Sequence, residues 1–337
     1  MKDYIARLMQ RGELRIVDKE VDPKFELAAV VERSQAQSTL PILFRKVKGT
    51  RLPVVSNLFG SHERICELLG TSAGNLCRRW VQILDSLSTV GPGYLRTVPG
   101  TPRIHGKISD LPAITWREKD AGPYITAGVF LARDPDSAIH NLSFSRSFMK
   151  SDSELLCDIA PVHDLGRYQA RAEAKGKSLE VCVLIAPPPE FFLAGCASVP
   201  IDVDELQVAA AIRGAPLEMQ KCATLDLPYP VGTQVVIEGR IRPGERADEG
   251  PFGEFMGYYG GLNKNGFIFD VAAVHWEADA VFHGLLCGTA EDMTALDIAF
   301  ATRTYAALAS SIPGILDVTC NPMFFCTVVQ IDKMAYP

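Results

Sequence analysis

Apolar and polar residues change their spacing along this chain, and the changes divide it into stretches of different local structure. Over the first 90 or so residues two periods take turns. Tyr4, Ile5, Leu8 and Met9 fall on one helical face, with Gly12 placed to stop it. Residues 14–17 read as a short strand, 25–33 as a second helical face, and 41–47 and 53–57 as strands. Ser61 is suited to cap a helix that reaches Leu69, with Gly70 behind it, and residues 75–87 make one more helix. Residues 90–123 are rich in proline and glycine and predict a linker. From Ile125 onward strands dominate, with runs at 179–185, 233–241, 266–276 and 280–286, interrupted by helices at 163–175 and 203–212. A long helix at 291–310 ends before Pro313, and a last strand follows at 324–331.

These elements predict a mixed α+β molecule. An N-terminal α/β domain covers residues 1–105, its linker reaching to about 123. A β-barrel or sandwich with helical insertions covers 124–312, and 313–337 begins a C-terminal α/β domain. One or two elements cannot bury a core of their own, so that last domain is expected to be incomplete and the chain cut short.

Composition narrows the partners. The net charge of −6 leaves no electrostatic footprint for nucleic acid. No apolar run approaches the roughly 18 residues needed to span a bilayer, and Met1-Lys2-Asp3-Tyr4 opens straight into a helix pattern without a secretory apolar region. The nine cysteines contain no CxxC spacing and sit mostly in apolar runs, which points to reduced, buried thiols in a cytoplasmic protein. There is no GxGxxG after a strand and no GxxxxGK[ST], so neither nucleotide fingerprint is present.

The densest candidate chemistry lies in Asp248-Glu249-Gly250-Pro251-Phe252-Gly253-Glu254. Pro251 and the two glycines force the backbone out of any helix, and Phe252 and Phe255 can anchor the segment in a core. Glu249 and Glu254 then point into a cleft as a general acid and base, or the segment is simply a solvated acidic turn. Alternation in His140-Asn141-Leu142-Ser143-Phe144-Ser145-Arg146 puts Asn141, Ser143 and Ser145 on one face, next to an arginine whose paired donors suit a carboxylate or phosphate. An ordinary edge strand reads equally well. His163 starts a helix, where capping is the simpler role, and Asp202-Val203-Asp204-Glu205 opens another, where acidic residues complement the dipole. As donors, Asn141, His163 and Glu205 form a mixed oxygen and nitrogen set suited to Mn²⁺ or Mg²⁺.

The runs Asn141 to Arg146, Glu249-Gly250-Pro251-Phe252-Gly253-Glu254 and Ala197-Ser198-Val199-Pro200 to Cys222 resemble the UbiD family of decarboxylases, which use prenylated flavin mononucleotide. The resemblance runs in order along the whole chain. It implies a flavin reductase-like split β-barrel for the middle domain and a catalytic Glu–Arg–Glu network formed by Arg146, Glu249 and Glu254. In that network Glu254 protonates the carbon that CO₂ leaves, while Glu249 and Arg146 position the substrate carboxylate. It implies that Asn141, His163 and Glu205 hold Mn²⁺, or Mg²⁺, with K⁺ nearby. Cofactor contacts fall to Asn141, Ser143, Arg146, Ser198, Val199 and Pro200, while Glu218 occupies a motif position of unassigned role.

The reaction so implied is a reversible, non-oxidative decarboxylation of an aromatic or α,β-unsaturated acid, in a homodimer or larger homo-oligomer supplied by a flavin prenyltransferase. Members of that family continue past the point where this chain stops and contribute there a lysine to the cofactor phosphate. No residue here matches it, and weak cofactor retention is expected. A non-catalytic flavin- or phosphate-binding module, or a conventional flavin reductase, is the alternative reading.

Overall fold

The computed structural model describes residues 1–321 and 326–335. The N-terminal part runs α1 (Lys2–Gln10), β1 (Arg15–Val17), α2 (Glu26–Gln37), β2 (Ile42–Phe44), β3 (Val54–Ser56), α3 (His62–Leu68) and α4 (Leu76–Asp85). Then come β4 (Leu95–Thr97), β5 (Ile104–Gly106), β6 (Tyr124–Ile125), β7 (Gly128–Arg133), β8 (His140–Phe144), β9 (Ser147–Met149) and β10 (Glu154–Cys157). After these follow α5 (Asp164–Ala174), β11 (Leu179–Ile185), α6 (Pro189–Ala194), α7 (Glu205–Arg213), β12 (Leu217–Lys221) and β13 (Pro228–Pro230). The described chain closes with β14 (Val235–Glu249), β15 (Asn263–Trp276), β16 (Phe282–His283), α8 (Ala290–Ala309), β17 (Ile315–Asn321) and β18 (Cys326–Ile331).

The mixed α+β class expected from the sequence is the one observed. Its centre is an antiparallel sheet in the order β6-β9-β10-β15-β14-β11-β7-β8, with β5 pairing on β15. Chain length makes this sheet curl. Laid flat, the six steps from β9 to β8 would separate those strands by about 29 Å. Only Ser145 and Arg146 connect β8 to β9, a link that spans at most about 11 Å. The sheet must therefore bend round into a half-barrel, and Arg146 sits at the seam.

Both faces of the sheet are buried, which explains the unbroken apolar run of β11. Val181, Val183 and Ile185 pack with Phe130, Phe267 and Phe269 on one side. Cys182 and Leu184 pack with Phe191, Phe192 and Leu206 on the other. The N-terminal strands make a separate sheet, β1-β2-β3-β16, and β17 pairs with β18.

Four sequence expectations are corrected or refined. The strand expected at 233–241 continues to Glu249, with register shifts after Glu238, Ile241 and Ala247. Such bulges break the alternation of side chains, so the polar stretch from Arg242 to Asp248 does not read as a strand. Glu249 is therefore a strand end and not a turn residue. The run 280–286 yields only β16, which pairs in parallel with β3 and so belongs to the N-terminal sheet. The stretch expected to be a linker supplies β4, paired with β12, and β5, paired with β15. Of the last expected strand, residues 324 and 325 lie outside the described residues, and β18 begins at Cys326. Among the described residues no helix is long and apolar enough to cross a membrane.

Candidate active site

The seam brings Arg146, Glu249 and Glu254 together. Nε and Nη2 of Arg146 donate to Oε1 and Oε2 of Glu249 at 3.1 and 2.9 Å, and Nη1 donates to Oε1 of Glu254 at 2.7 Å. Glu249 is fully buried, and its Oε1 also takes the Tyr124 hydroxyl from β6 at 2.9 Å. The Glu254 side chain is 24% exposed, so the two carboxylates stand in unlike surroundings. Burial of Arg146 works to lower its pKa, but hydrogen bonds and charge from Glu249, with the charges of Asp158 and Glu254, outweigh burial and keep it cationic. Burial, then the charge of Glu249, pushes the Tyr124 phenol up, so it stays a donor.

Packing holds this network in place. The buried ring of Phe252 lies 5.0 Å under the Arg146 guanidinium and 4.7 Å from the Tyr124 ring. Gly253 donates its N–H to Asp120 at 2.9 Å, which ties the loop to the segment before β6. Two glycines make room for the carboxylates. A Cβ on Gly260 would lie 2.6 Å from Glu254 Oε1, and one on Gly266 would lie 2.6 Å from Glu249 Cβ.

A cavity of about 570 Å³ is walled by Phe144, two residues before Arg146, and by Asp292, which holds Cys287. Six residues singled out in the sequence line it: Asn141, Ser143, His163, Ser198, Val199 and Glu205. Pro200 does not line it and is exposed, and Arg146 belongs to the carboxylate network instead. Leu285 also lines the cavity, and Tyr258 and Tyr259 do not. Glu218 pairs with Arg96 in another sheet.

The donors in the cavity suit a cation. Asn141 gives its amide N–H to Glu205 Oε2 at 2.7 Å, which leaves its buried Oδ1 without a partner. Glu205 Oε2 also accepts from the backbone of Leu142. Burial raises the Glu205 pKa well above its ordinary value despite these bonds, as expected of a carboxylate that lacks its counter-charge. Asp204 next to it makes the helix cap, accepting from Leu206 N at 2.9 Å, so Glu205 is free of that task. His163 holds the N-cap position of α5, but its side chain makes no capping bond. The buried hydroxyl of Ser143 is also unpartnered. Among the described residues no cluster of three or more His, Cys, Asp or Glu is grouped for a metal; the expected trio contains only two such residues, with Asn141 as the third. By donor chemistry, two oxygen ligands and one imidazole, these three side chains suit an oxygen-preferring divalent cation.

Sequence reasoning missed the groups that join the two regions. Asp292 lines the cavity and accepts from Gly288 N at 2.8 Å and from the Cys287 thiol at 3.2 Å. Burial raises the pKa of Asp292. The Cys287 thiol, pushed up first by burial and then by Asp292, also feels the charges of Glu254 and Arg146. Asp158, just past β10, meets Arg146 Nη2 at 2.9 Å. In sequence Asp292 reads as an ordinary first-turn acid and Asp158 carries no signal.

Comparison with known proteins identifies the family. Residues 101–290 match the family model described as the 3-octaprenyl-4-hydroxybenzoate carboxy-lyase Rift-related domain, and residues 5–84 match the N-terminal domain of the same enzymes. An anhydromevalonate phosphate decarboxylase of Methanothermobacter thermautotrophicus is 29% identical over 339 residues, covering 99% of this chain and 77% of that one. An evolved dimeric form of the UbiD-class enzyme HmfF from Pelotomaculum thermopropionicum, in complex with prFMN, superposes with a TM-score of 0.90 at 33% identity, over 98% of this chain and 78% of that one. HmfF in complex with FMN gives a TM-score of 0.91 at 32% identity, over 98% and 75%. A matched domain that spans more than half of the chain, on a fold shared over 98% of it, makes this chain a member of the UbiD family of carboxy-lyases.

Proposed function

We propose that this chain catalyses the reversible, non-oxidative decarboxylation of an aromatic or α,β-unsaturated carboxylic acid, with prenylated FMN in the cavity beside Arg146. One observation carries the reading: a single guanidinium bonded to two carboxylates of unequal exposure, next to a cavity lined by unpaired polar groups. Asn141, His163 and Glu205 would hold a divalent cation, Mn²⁺ or Mg²⁺, against the cofactor phosphate, with K⁺ accompanying it. Ser143, Ser198 and Val199 would contact the flavin. When bound there, the prenylated flavin supplies the sink for the electron pair that CO₂ leaves behind.

The chain's own residues do the rest. Arg146 receives the substrate carboxylate and orients the bond to be broken. Glu249, buried and held by Tyr124, fixes the guanidinium. Glu254, half-open to solvent, gives the proton that replaces CO₂ on carbon and is reprotonated from water. Phe252 and the buried strand ends keep bulk water away from the carbon until that transfer. A flavin prenyltransferase would supply the cofactor, and a homo-oligomer is the expected assembly.

The test is reconstitution with prenylated FMN and Mn²⁺, followed by CO₂ release and deuterium exchange across a panel of aryl and acrylic acids. Glu254→Gln is expected to lose at least about a hundredfold in turnover while it retains flavin, the range for removal of a proton donor. Normal turnover in that variant would sink the assignment.

A further inference from the structure

Arg146 faces not two carboxylates but three. Asp158 Oδ2 stands 2.9 Å from Nη2, the nitrogen that also bonds Glu249. Asp158 is fixed from both sides. Its N–H donates to the Arg146 carbonyl at 3.2 Å, and its Oδ1 accepts from the Asn263 amide at 2.9 Å. A guanidinium has five N–H groups. Three are committed in directed bonds to Glu249 and Glu254. Of the other two, one is on Nη2, the nitrogen that pairs with Asp158, and the one on Nη1 makes no further bond among the described residues.

The charges follow from the same contacts. One guanidinium against three carboxylates leaves two negative charges in excess. Arg117, packed against Gly253 and facing Asp120, is a cation nearby, but it is paired with Glu32 at 2.8 Å. Tyr124 on β6 and the thiols of Cys157 on β10 and Cys287 before α8 are all pushed up by burial and stay neutral. Asp120, before β6, and Asp292, on α8, are acids. A fourth carboxylate brought by a substrate would raise the excess to three unless a proton came with it.

We propose that Asp158 is a positioning residue of this site: with Glu249 it closes the Nη2 side of Arg146, leaves Nη1 as the edge that receives an incoming carboxylate, and makes that binding take up a proton. The inference rests on the reading of Arg146 as the substrate-carboxylate site. It predicts that acids bind more tightly as pH falls, with Glu254, the carboxylate on the receiving edge, as the proton's destination. Protonated there, Glu254 is loaded for delivery to carbon, so binding the substrate arms the acid.

The experiment measures the affinity of the full chain for benzoate, cinnamate and crotonate between pH 6 and 8 by ligand-observed NMR, in the wild type, Asp158→Asn and Arg146→Gln. Wild-type affinity should rise about threefold to tenfold per pH unit on acidification, tenfold being the limit for one proton taken up. Asp158→Asn should bind about threefold to tenfold more tightly at pH 8, with the pH dependence reduced to less than about twofold per unit. Asp158→Ser gives the same comparison if the new amide disturbs Asn263. A pH-independent wild type, or a wild-type slope kept in both Asp158 variants, overturns the role of Asp158. Failure of every probe to bind the wild type, or equal binding to Arg146→Gln, overturns instead the underlying reading of Arg146, and this proposal with it.

Discussion

Glu249 is a buried anion whose charge is balanced by two kinds of donor: the fork of Arg146 on one side and the Tyr124 hydroxyl on the other. Arg146 stands in the link at the seam and Tyr124 on β6, which pairs with β9, so both donors belong to the closing edge. Tyr124→Phe removes one bond to a charged acceptor without changing the packed ring. It should lower stability by about 1.5 kcal/mol, the usual worth of such a bond, in urea unfolding of matched samples. Arg146, Glu249 and Glu254 are legible in the sequence because an unusual turn sequence marks them and a family resemblance assigns them. Tyr124, Asp158 and Asp292 are not. Each is a single residue at an element boundary; Tyr124 belongs through a partner 125 positions away, Asp292 through a cavity wall, and Asp158 through an arginine 12 positions back on another strand link, none of which leaves a periodic pattern.

The strands and helices show the same division. β11 lies where its apolar run predicts, because a strand buried on both faces needs no alternation to be recognised. The second half of β14 was hidden for the opposite reason: its bulges rotate side chains out of register, and residues such as Arg242 and Arg246 find acidic partners on neighbouring elements. β16 could be seen as apolar but not assigned to a sheet, since periodicity does not say which neighbour buries a strand. The close approach of β14 and β15 at Gly266 is a feature to test. Gly266→Ala sets a methyl group against Glu249 Cβ and the Ala247 carbonyl, and should destabilise by about 1–3 kcal/mol. Gly261→Ala, which meets nothing within 4 Å, should stay within about 0.5 kcal/mol in the same denaturation assay.

The N-terminal sheet and α8 are fastened together by a buried carboxylate. Glu291, in the first turn of α8, accepts from the backbone of Asn57 at 2.7 Å and of Phe59 at 3.0 Å, and pairs with His283 Nε2 at 2.9 Å. The next residue, Asp292, faces the cavity, because successive helical positions point about 100° apart. The helix that walls the cavity is thus located by the N-terminal part of the chain. Glu291→Ala leaves two buried N–H groups and an imidazole without their acceptor and should cost about 3 kcal/mol. Faster hydrogen exchange confined to Asn57 and Phe59 would show a local effect, whereas faster exchange along α8 as well is the outcome expected of a clasp between the two parts.

The two-residue link at the seam also has a kinetic meaning. β8 and β9 are neighbours in sequence, yet the network at their junction pairs Arg146 with partners 103 and 108 residues further on. Local hairpins form early and distant pairings late, because the intervening chain must first be ordered. During synthesis Arg146 leaves the ribosome about a hundred residues ahead of Glu249 and Glu254, with only Asp158 close behind it, and waits, still largely solvated, until β14 and β15 arrive. The charge that handles the substrate is thus among the last to be desolvated, and a chain released before that point has secondary structure but no acid site.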